Sequence, residues 1–215
     1  MSEWSHGYNV STGYTYGFYR ELAPNWLDFS AVIQGYLPPA RGVDGSFRYL
    51  ELGSGQGFGL CLLAAANPTG TFVGIDFNPE HIAHSRELAR GAGLTNITFL
   101  EGDFADLGAV WPSELGQFEY VTLHGIYSWI PAAVRANLVR CIDHATMPGS
   151  LVYVSYNSMP GWLTTVPYQH LARQIQLATA RSGPEALKEA TRLLESMVAV
   201  NAPIHRTLPA LKPRL

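Results

Sequence analysis

The sequence predicts an α/β protein: a doubly wound, mainly parallel sheet with helices on both of its faces. Short apolar runs alternate with helical segments through the middle of the chain, as in successive βαβ units. Three of these runs end in glycine or an acidic residue, at Leu52-Gly53, Asp76 and Gly102-Asp103. The last run, 150–156, alternates poorly between apolar and polar residues, which is typical of a parallel strand buried on both faces.

The elements follow one another in a regular order. Residues 1 to about 20 are rich in tyrosine, glycine and serine, and a helix is predicted from Pro24 to about Tyr36. A linker leads into the core, and its predicted elements are strand 47–52, helix 57–66, strand 71–76, helix 79–92, strand 97–100, a weak helix or loop over 104–115, strand 118–123, helix 132–145 and strand 150–156.

The segment after Trp162 has a different texture. Apolar residues recur at helical spacing over 168–181 and 184–200, and no further strands are predicted. The helices are expected to begin a larger domain that is truncated here. We therefore divide the chain into an N-terminal tyrosine-rich segment and helix that cap the site, a central sheet domain and a helical appendage, at 1–46, 47–162 and 163–215.

Composition restricts the partners. With 215 residues, of which 47% are hydrophobic, the chain can form one domain with a sizeable core and an appendage. The net charge is -3 and the basic residues are scattered, so no nucleic-acid partner is expected. Cys61 and Cys141 lie in apolar helical stretches, which indicates buried thiols. Because neither a signal peptide nor a membrane-spanning run is recognisable, we expect a cytoplasmic protein without a membrane partner.

The strongest functional signal is the run from Glu51 to Gly59, in which glycines stand at positions 53, 55, 57 and 59. Glycines allow a tight turn and let a ligand lie against bare backbone, and the following helix points its first amides at that ligand. This is a nucleotide-type cofactor loop. The nicotinamide fingerprint G-x-G-x-x-G would need glycine where Phe58 stands, and Glu51 would repel a pyrophosphate. A NAD(P)-dependent oxidoreductase is therefore the disfavoured alternative.

A second acidic residue follows the next strand. Asp76 stands about 20 residues after the glycine loop, the spacing expected for a carboxylate that binds ribose hydroxyls. Phe77 can pack on the face of an adenine ring. The alternative is that Asp76 serves only as a turn or capping acid ahead of Pro79.

These motifs together resemble those of the class I S-adenosylmethionine (SAM)-dependent methyltransferases. The resemblance rests on E-x-G-x-G-x-G (Glu51, Gly53, Gly55, Gly57), Asp76 and Gly102-Asp103. It implies a Rossmann-like sheet, with SAM as the cofactor and S-adenosylhomocysteine (SAH) as its product. It also implies roles for particular residues. Glu51 favours the ammonium and sulfonium of SAM, Ser54 belongs to the binding loop, Asp103 accepts from the adenine amine, and the backbone amide of Phe104 meets a ring nitrogen.

Three further segments resemble a narrower group, the bacterial methyltransferases that carry a methyltransferase regulatory domain. The segments are 19–24, 124–131 and 153–162. Some members of that group are similar to protein-lysine methyltransferases. The resemblance implies a small-molecule or protein substrate, with an amine or another nucleophile, such as a protein lysine, as the acceptor.

The acceptor side is expected beyond the carboxyl end of the fourth strand, where His124, Tyr127 and Trp129 follow. An amine must lose a proton before it attacks, so a neutral histidine or a tyrosine would help. The catalytic candidates are His124, Tyr127 and Tyr156, and His124 also belongs to the cofactor-binding set. Alternatively, His124 only flanks the pocket. For Trp129 a role as a core anchor is favoured.

The N-terminal tyrosines suggest a cover over the cofactor. An aromatic face near a sulfonium is favourable by about 0.5–2 kcal/mol through cation–π attraction. Tyr14 and Tyr19 are the candidates, and the alternative is that they only cover an apolar patch.

The class I fold ends in an antiparallel pair of strands that this sequence does not show. A SAM-binding fragment without catalysis, or one that depends on a partner, is therefore a second alternative. The sheet edge left open would be covered by the helices of 168–200 or paired in a homodimer.

Overall fold

A computed structural model of the chain describes residues 17–128, 130–163 and 165–203. Tyr14 and Trp129, both considered above, lie outside these ranges. The chain divides into two compact units, Met1–Tyr156 and Asn157–Leu215. The elements of the first unit are α1 (Pro24–Ile33), β1 (Phe47–Leu52), α2 (Phe58–Ala66), β2 (Gly70–Asp76), α3 (Pro79–Gly91), β3 (Ile97–Glu101), α4 (Phe104–Ala109), β4 (Phe118–Leu123), α5 (Ala132–Ala145) and β5 (Thr146–Val154). Those of the second are α6 (Val166–Thr179) and α7 (Gly183–Ala199).

The strands of the first unit confirm the predicted doubly wound sheet. Among the described residues, five strands form one parallel sheet in the order β3-β2-β1-β4-β5. Leu50 of β1 is paired with Val73 of β2 on one side and with Val121 of β4 on the other. The strand order reverses between β1 and β4, so a crevice for a ligand is expected at the carboxyl ends of these two strands.

Both faces of the sheet are apolar, as a parallel sheet requires. Along β1, Tyr49 contributes to one buried cluster and Leu50 to the other, because successive side chains point to opposite faces. Helices α1, α2 and α3 cover the face of Tyr49, and α4 and α5 cover the face of Leu50. The central strands are therefore held from both sides and form a rigid base for the loops that follow them.

The N-terminal segment is anchored to this base by polar contacts, of which the first is fully buried and the others are more exposed. The hydroxyl of Tyr49, which is fully buried, donates to the carbonyl of Leu22 at 2.8 Å. The hydroxyl of Tyr120 donates to Asp28 of α1 at 2.6 Å, and the Arg41 guanidinium donates to the same carboxylate. These bonds fix the chain around Leu22 above the ends of β1 and β4.

The predicted start of the fifth strand was wrong by four residues, since β5 begins at Thr146. Pro148 and Gly149 do not end a turn before the strand but lie inside it, in a β-bulge: the pairs Phe118↔Thr146 and Tyr120↔Leu151 bracket a shift of register. Gly149 adopts a φ of 96°, and the Ser150 hydroxyl fills the gap by donating to the Phe118 carbonyl at 2.7 Å.

The second unit confirms the two predicted helices to within two residues at either end. Tyr168 of α6 and Thr191 of α7 share a hydroxyl–hydroxyl hydrogen bond of 2.6 Å. Ser182 and Glu185 form a capping box that begins α7, and the apolar stripe of α7 buries Ala186, Ala190 and Leu194.

Two smaller expectations concern buried and membrane-spanning segments. Cys61 and Cys141 are both free and buried, as predicted. In the parts of the chain that the structure describes, every helix is too short or too polar to cross a membrane.

Candidate cofactor-binding site

The glycine loop lies between β1 and α2 and needs glycine for steric reasons. Gly53 and Gly57 have φ values of 75° and 74°, in the left-handed region that favours glycine. A Cβ atom at Gly53 would lie 2.6 Å from the Ile126 side chain, and one at Gly57 would lie 2.5 Å from the Ser85 hydroxyl. Gly57 is also the N-cap of α2, and it has no side chain to satisfy the first amides of the helix. The loop therefore presents bare backbone and a helix N-terminus on one side.

The carboxylate of Asp76 stabilises this loop. It is 5% exposed, and its carboxylate accepts hydrogen bonds from the amides of Gly55 at 2.8 Å and Asn78 at 2.9 Å. The His81 ring nitrogen lies 3.3 Å from the same carboxylate. The Ser85 hydroxyl donates to the His81 carbonyl at 2.8 Å and lies 3.3 Å from the Gly55 carbonyl of the loop. The structure thus shows Asp76 positioning the glycine loop, and its predicted contact with a ribose stays a prediction.

Glu51 contributes a second buried carboxyl group at the end of β1. Burial, and next the charge of Asp76, raise the pKa of Glu51 from 4.5 to about 8. The side chain is 8% exposed and lines the cavity above the loop. A carboxyl group in this state gains most from a cationic ligand, because a positive charge beside it would restore its ionised form.

His124 stands opposite, directly after β4. Its ring stacks on Tyr19, with centroids 3.8 Å apart and 30° between the planes, and it is parallel within 10° to Tyr153 at 6.3 Å. Burial lowers the pKa of His124 from 6.5, and the carboxylate of Glu21 partly opposes that effect. The imidazole is therefore neutral at pH 7.

These groups enclose a cavity of about 260 Å³ at the crevice between β1 and β4. Seven of the predicted site residues that the structure describes line it: Tyr19, Glu51, Gly53, Ser54, Gly55, Gly57 and His124. Among the described residues, the buried side-chain atoms without a hydrogen-bond partner are Ser54 Oγ and His124 Nδ1. Buried polar atoms are nearly always satisfied, so two such atoms on one cavity indicate a site built for a polar ligand.

The residues predicted to contact an adenine lie outside that lining. Asp103 is the N-cap of α4, and its carboxylate accepts from the Ala105 amide at 2.7 Å. The Phe104 side chain belongs to the buried core, and Phe77 packs against the same core. Asp103 and Phe104 do begin a helix beyond the carboxyl end of β3, the position that the sequence predicted. Their contacts with a cofactor stay predictions.

Tyr127 and Tyr156 form a pair of their own. Their ring centroids are 6.1 Å apart in an edge-on arrangement, and the Arg135 guanidinium lies 5.2 Å from the Tyr127 ring. Tyr156 is 61% exposed. Neither lines the cavity, so the structure brings His124 to the cofactor crevice but leaves Tyr127, which follows β4, and Tyr156, which follows β5, outside the lining.

Sequence reasoning missed several contributors. The remaining lining residues are Gly17, Leu22, Gln56, Phe58, Gly59 and Gly125. Ser85 and Tyr153, which support the loop and the His124 ring, were also missed. Ser85 follows His81 by one helical turn on α3, so both side chains lie on the same face of the helix. His81 contacts Asp76 at the end of β2, and its spacing to Ser85 is the signal that could have found Ser85. Tyr153 carries no comparable signal, because it lies on β5 whereas its neighbour His124 follows β4.

A sheet with a glycine loop after β1, an acid after β2 and a cavity at the reversal point defines a nucleotide-cofactor domain of the doubly wound class. The chain belongs to the methyltransferase domain family: the family described as "Methyltransferase domain" matches residues 44–198. It is a class I, SAM-dependent methyltransferase domain, as the motifs predicted.

Similar proteins extend well beyond this chain. An uncharacterized protein from Synechocystis sp. is 35% identical over 212 residues, which are 99% of this chain and 41% of that protein. An uncharacterized protein from Rickettsia prowazekii is 32% identical over 115 residues, 54% of this chain and 20% of that protein. The chain thus spans less than half of these relatives.

A solved structure shows the same fold. PKMT2 from Rickettsia typhi in complex with AdoHcy has a TM-score of 0.72 at 22% sequence identity, covering 87% of this chain and 34% of that chain.

Proposed function

We propose that this domain transfers the methyl group of SAM to an amine, with the side chain of a protein lysine as the favoured acceptor. The observation that carries the proposal is the buried Nδ1 of a neutral His124 on the wall of the cofactor cavity, which has no hydrogen-bond partner among the residues that the structure describes. The sequence resemblance to bacterial methyltransferases with a regulatory domain supports a protein acceptor.

The cavity suits the chemistry of the cofactor. When bound, SAM supplies a methyl group activated by a positive sulfur, and SAH leaves with the electron pair of the broken bond. Glu51 would hold the ammonium of the methionine part, because its carboxyl gains a counter-charge there. Ser54 Oγ, which has no hydrogen-bond partner in the described part of the chain, lies in the same wall, and the loop amides would face the ligand. Asp76, Asp103 and the Phe104 amide are proposed for the adenosine part.

His124 takes the proton that the acceptor must lose. A lysine amine with a pKa near 10.4 is charged at neutral pH, and its lone pair is free only after deprotonation. The neutral imidazole accepts that proton and passes it to solvent, while the neighbouring rings hold its plane. Tyr127 and Tyr156 are kept as candidates for contacts with the acceptor. The segment 1–46 is proposed as the cap of the site.

The assembly of the protein is a separate part of the proposal. We place it in the bacterial cytoplasm, and we expect pairing of two copies through α6 and α7 or through the outer edge of β5. Light scattering on the purified chain tests the pairing. A monomer at micromolar concentration would contradict the pairing and leave the proposed methyl transfer unaffected.

The first test is calorimetric titration with SAM, SAH and NAD. We expect micromolar binding of SAM and SAH, no binding of NAD, and loss of binding in Asp76→Ala, because that change frees the glycine loop from its support. Transfer of a labelled methyl group from SAM to lysine-containing peptides tests the reaction itself. Binding without transfer to any peptide would favour the non-catalytic alternative, and binding of NAD in place of SAM would overturn the assignment.

A further inference from the structure

A second cavity lies in the first unit, between α1 and β5. It has a volume of about 420 Å³ and is separate from the cofactor cavity. Its walls are apolar and aromatic, with Trp26 and Leu27 from α1 facing Leu151 and Tyr153 from β5. Trp26 is 39% exposed, so its ring is open to a ligand on one side.

The linings of the two cavities are neighbours, although they have no residue in common. Tyr153 lines the second cavity, and its ring is parallel to the ring of His124, which lines the first. The short turn before α1 contributes to both linings, since Glu21 lines the second cavity while Leu22 lines the first. A side chain that enters the second cavity would therefore lie beside Tyr153, whose ring neighbours that of His124.

The carboxylate of Glu21 is the acidic group in the lining of the second cavity. It is half-buried, and its charge reaches both neighbours, because it raises the pKa of His124 and of Tyr153. The titratable hydroxyl of Tyr36 also lines the cavity, and the Arg20 guanidinium lies 4.9 Å from the Trp26 ring centroid. The Trp26 ring thus already attracts one cation, as aromatic faces do.

We propose that this cavity, which we call the acceptor groove, binds the side chain of a primary-amine acceptor, with the alkyl stem between Trp26 and Leu151 and the ammonium beside Glu21. The inference rests on the proposed function and adds the place and the residues that select the acceptor. A mainly apolar and aromatic lining that includes the carboxylate of Glu21 matches a long alkylammonium group. It does not match a phosphate or a carboxylate, which Glu21 repels.

The test uses the full chain, isotopically labelled, with n-pentylamine as the probe and 1-pentanol as its neutral equivalent. Nuclear magnetic resonance titrations follow the indole signal of Trp26, assigned with Trp26→Phe, and the methyl signals of Leu151. We expect pentylamine to shift these signals and to bind more tightly than pentanol. Glu21→Gln should weaken pentylamine binding by about five- to tenfold, as loss of a half-buried charge-assisted contact does, and leave pentanol binding unchanged.

Glu114→Gln is the matched control, because Glu114 is exposed and lies in the turn before β4, away from both cavities. It should bind both probes like the unchanged protein. Equal binding of pentylamine and pentanol, or a Glu21→Gln variant that binds pentylamine normally, would overturn the acceptor groove. SAH titration of Glu21→Gln separates the two proposals. If the unchanged protein and Glu21→Gln both bind SAH normally and only the variant binds pentylamine weakly, both proposals are supported. If the unchanged protein does not bind SAH, the proposed function is contradicted, and the pentylamine titration alone decides on the acceptor groove.

Discussion

The ring of Tyr19 stacks on the ring of His124, with centroids 3.8 Å apart, and lines the cofactor cavity. Tyr19 itself is 41% exposed, so one of its faces meets the imidazole while its edge meets solvent. The burial that lowers the pKa of His124 is therefore supplied in part by a single side chain. Tyr19 thus covers the proposed base and lines the site at the same time.

The first prediction concerns this ring. Tyr19→Ala should raise the pKa of His124 toward 6.5, because the imidazole regains contact with water. It should also weaken SAM binding by about three- to tenfold if the ring faces the sulfonium. Histidine signals followed by nuclear magnetic resonance against pH, and calorimetry with SAM, measure the two effects. Tyr19→Phe keeps the ring and should leave both unchanged; a large effect of Tyr19→Phe would instead assign the role to the hydroxyl.

The second prediction concerns the proposed base. His124→Asn should reduce methyl transfer to an amine acceptor by about a hundredfold or more, because the proton acceptor is lost. In the unchanged protein the transfer rate should rise with pH through a midpoint below 6.5 and then level off, since the neutral imidazole is the active form and burial lowers its pKa. Rates of label transfer between pH 5 and pH 8 show this. SAM binding in His124→Asn should change only a few-fold. Full transfer activity in this variant would show that His124 only lines the pocket.

The third prediction concerns Glu51 and pH. Its pKa in the folded protein is about 8, above the ordinary 4.5, so the folded state holds a proton that the unfolded state releases between these values. The contribution of Glu51 to stability is therefore most favourable below pH 4.5 and is lost as pH rises toward 8. Glu51→Gln removes this dependence. In urea denaturation, the variant should gain stability relative to the unchanged protein as pH rises from 5 to 8.

The same carboxyl group predicts proton release on binding. At pH 7 a cationic ligand beside Glu51 should ionise it, so binding of SAH releases up to about one proton. Calorimetry in two buffers with different ionisation enthalpies measures that number. Glu51→Gln should show weaker binding and no release from this group, and Glu114→Gln serves as the control. If Glu51→Gln and the unchanged protein release equal numbers of protons on binding SAH, the ammonium of SAH does not bind beside Glu51.

The fourth prediction compares two glycines with similar backbones. Gly57 and Gly93 have φ values of 74° and 67°, so alanine costs about 1–2 kcal/mol of conformational strain at either position. At Gly93 nothing lies within 4 Å of the added Cβ, whereas at Gly57 the Cβ meets Ser85 and Phe99 at 2.5 and 2.7 Å. Gly57→Ala should be the more destabilising by at least about 1 kcal/mol and should abolish SAH binding. Gly93→Ala should bind SAH normally, and similar losses in both variants would show that crowding at the loop is unimportant.

The succession of strands along the chain and the glycine loop could be predicted from the sequence because they depend on local patterns. Glu51 and the loop glycines are close in sequence and stay close in the fold, and His124 follows a strand whose place in the sheet is set by the reversal. Local pattern could not show that Asp76 turns its carboxylate into the loop, since that orientation depends on the Gly55 amide above it.

Two other features depend on contacts between distant parts of the chain. The acceptor groove exists because α1 packs beside β5, and Glu21 is separated from Tyr153 by most of the first unit. The early start of β5 depends on pairing with β4, which accepts Pro148 and Gly149 as a bulge although both residues are turn formers when seen alone.

That bulge also determines how the outer edge of β5 can be used. Pro148 has no amide to donate, and Gly149 turns the backbone away from a regular ladder. A strand added by β-augmentation, from any partner, can therefore form a continuous ladder only along Leu151–Val154. This stretch carries Tyr153, so a peptide docked on the edge would lie beside the entrance to the acceptor groove. Edge pairing and access of a side chain to the acceptor groove are thus coupled through four residues of one strand.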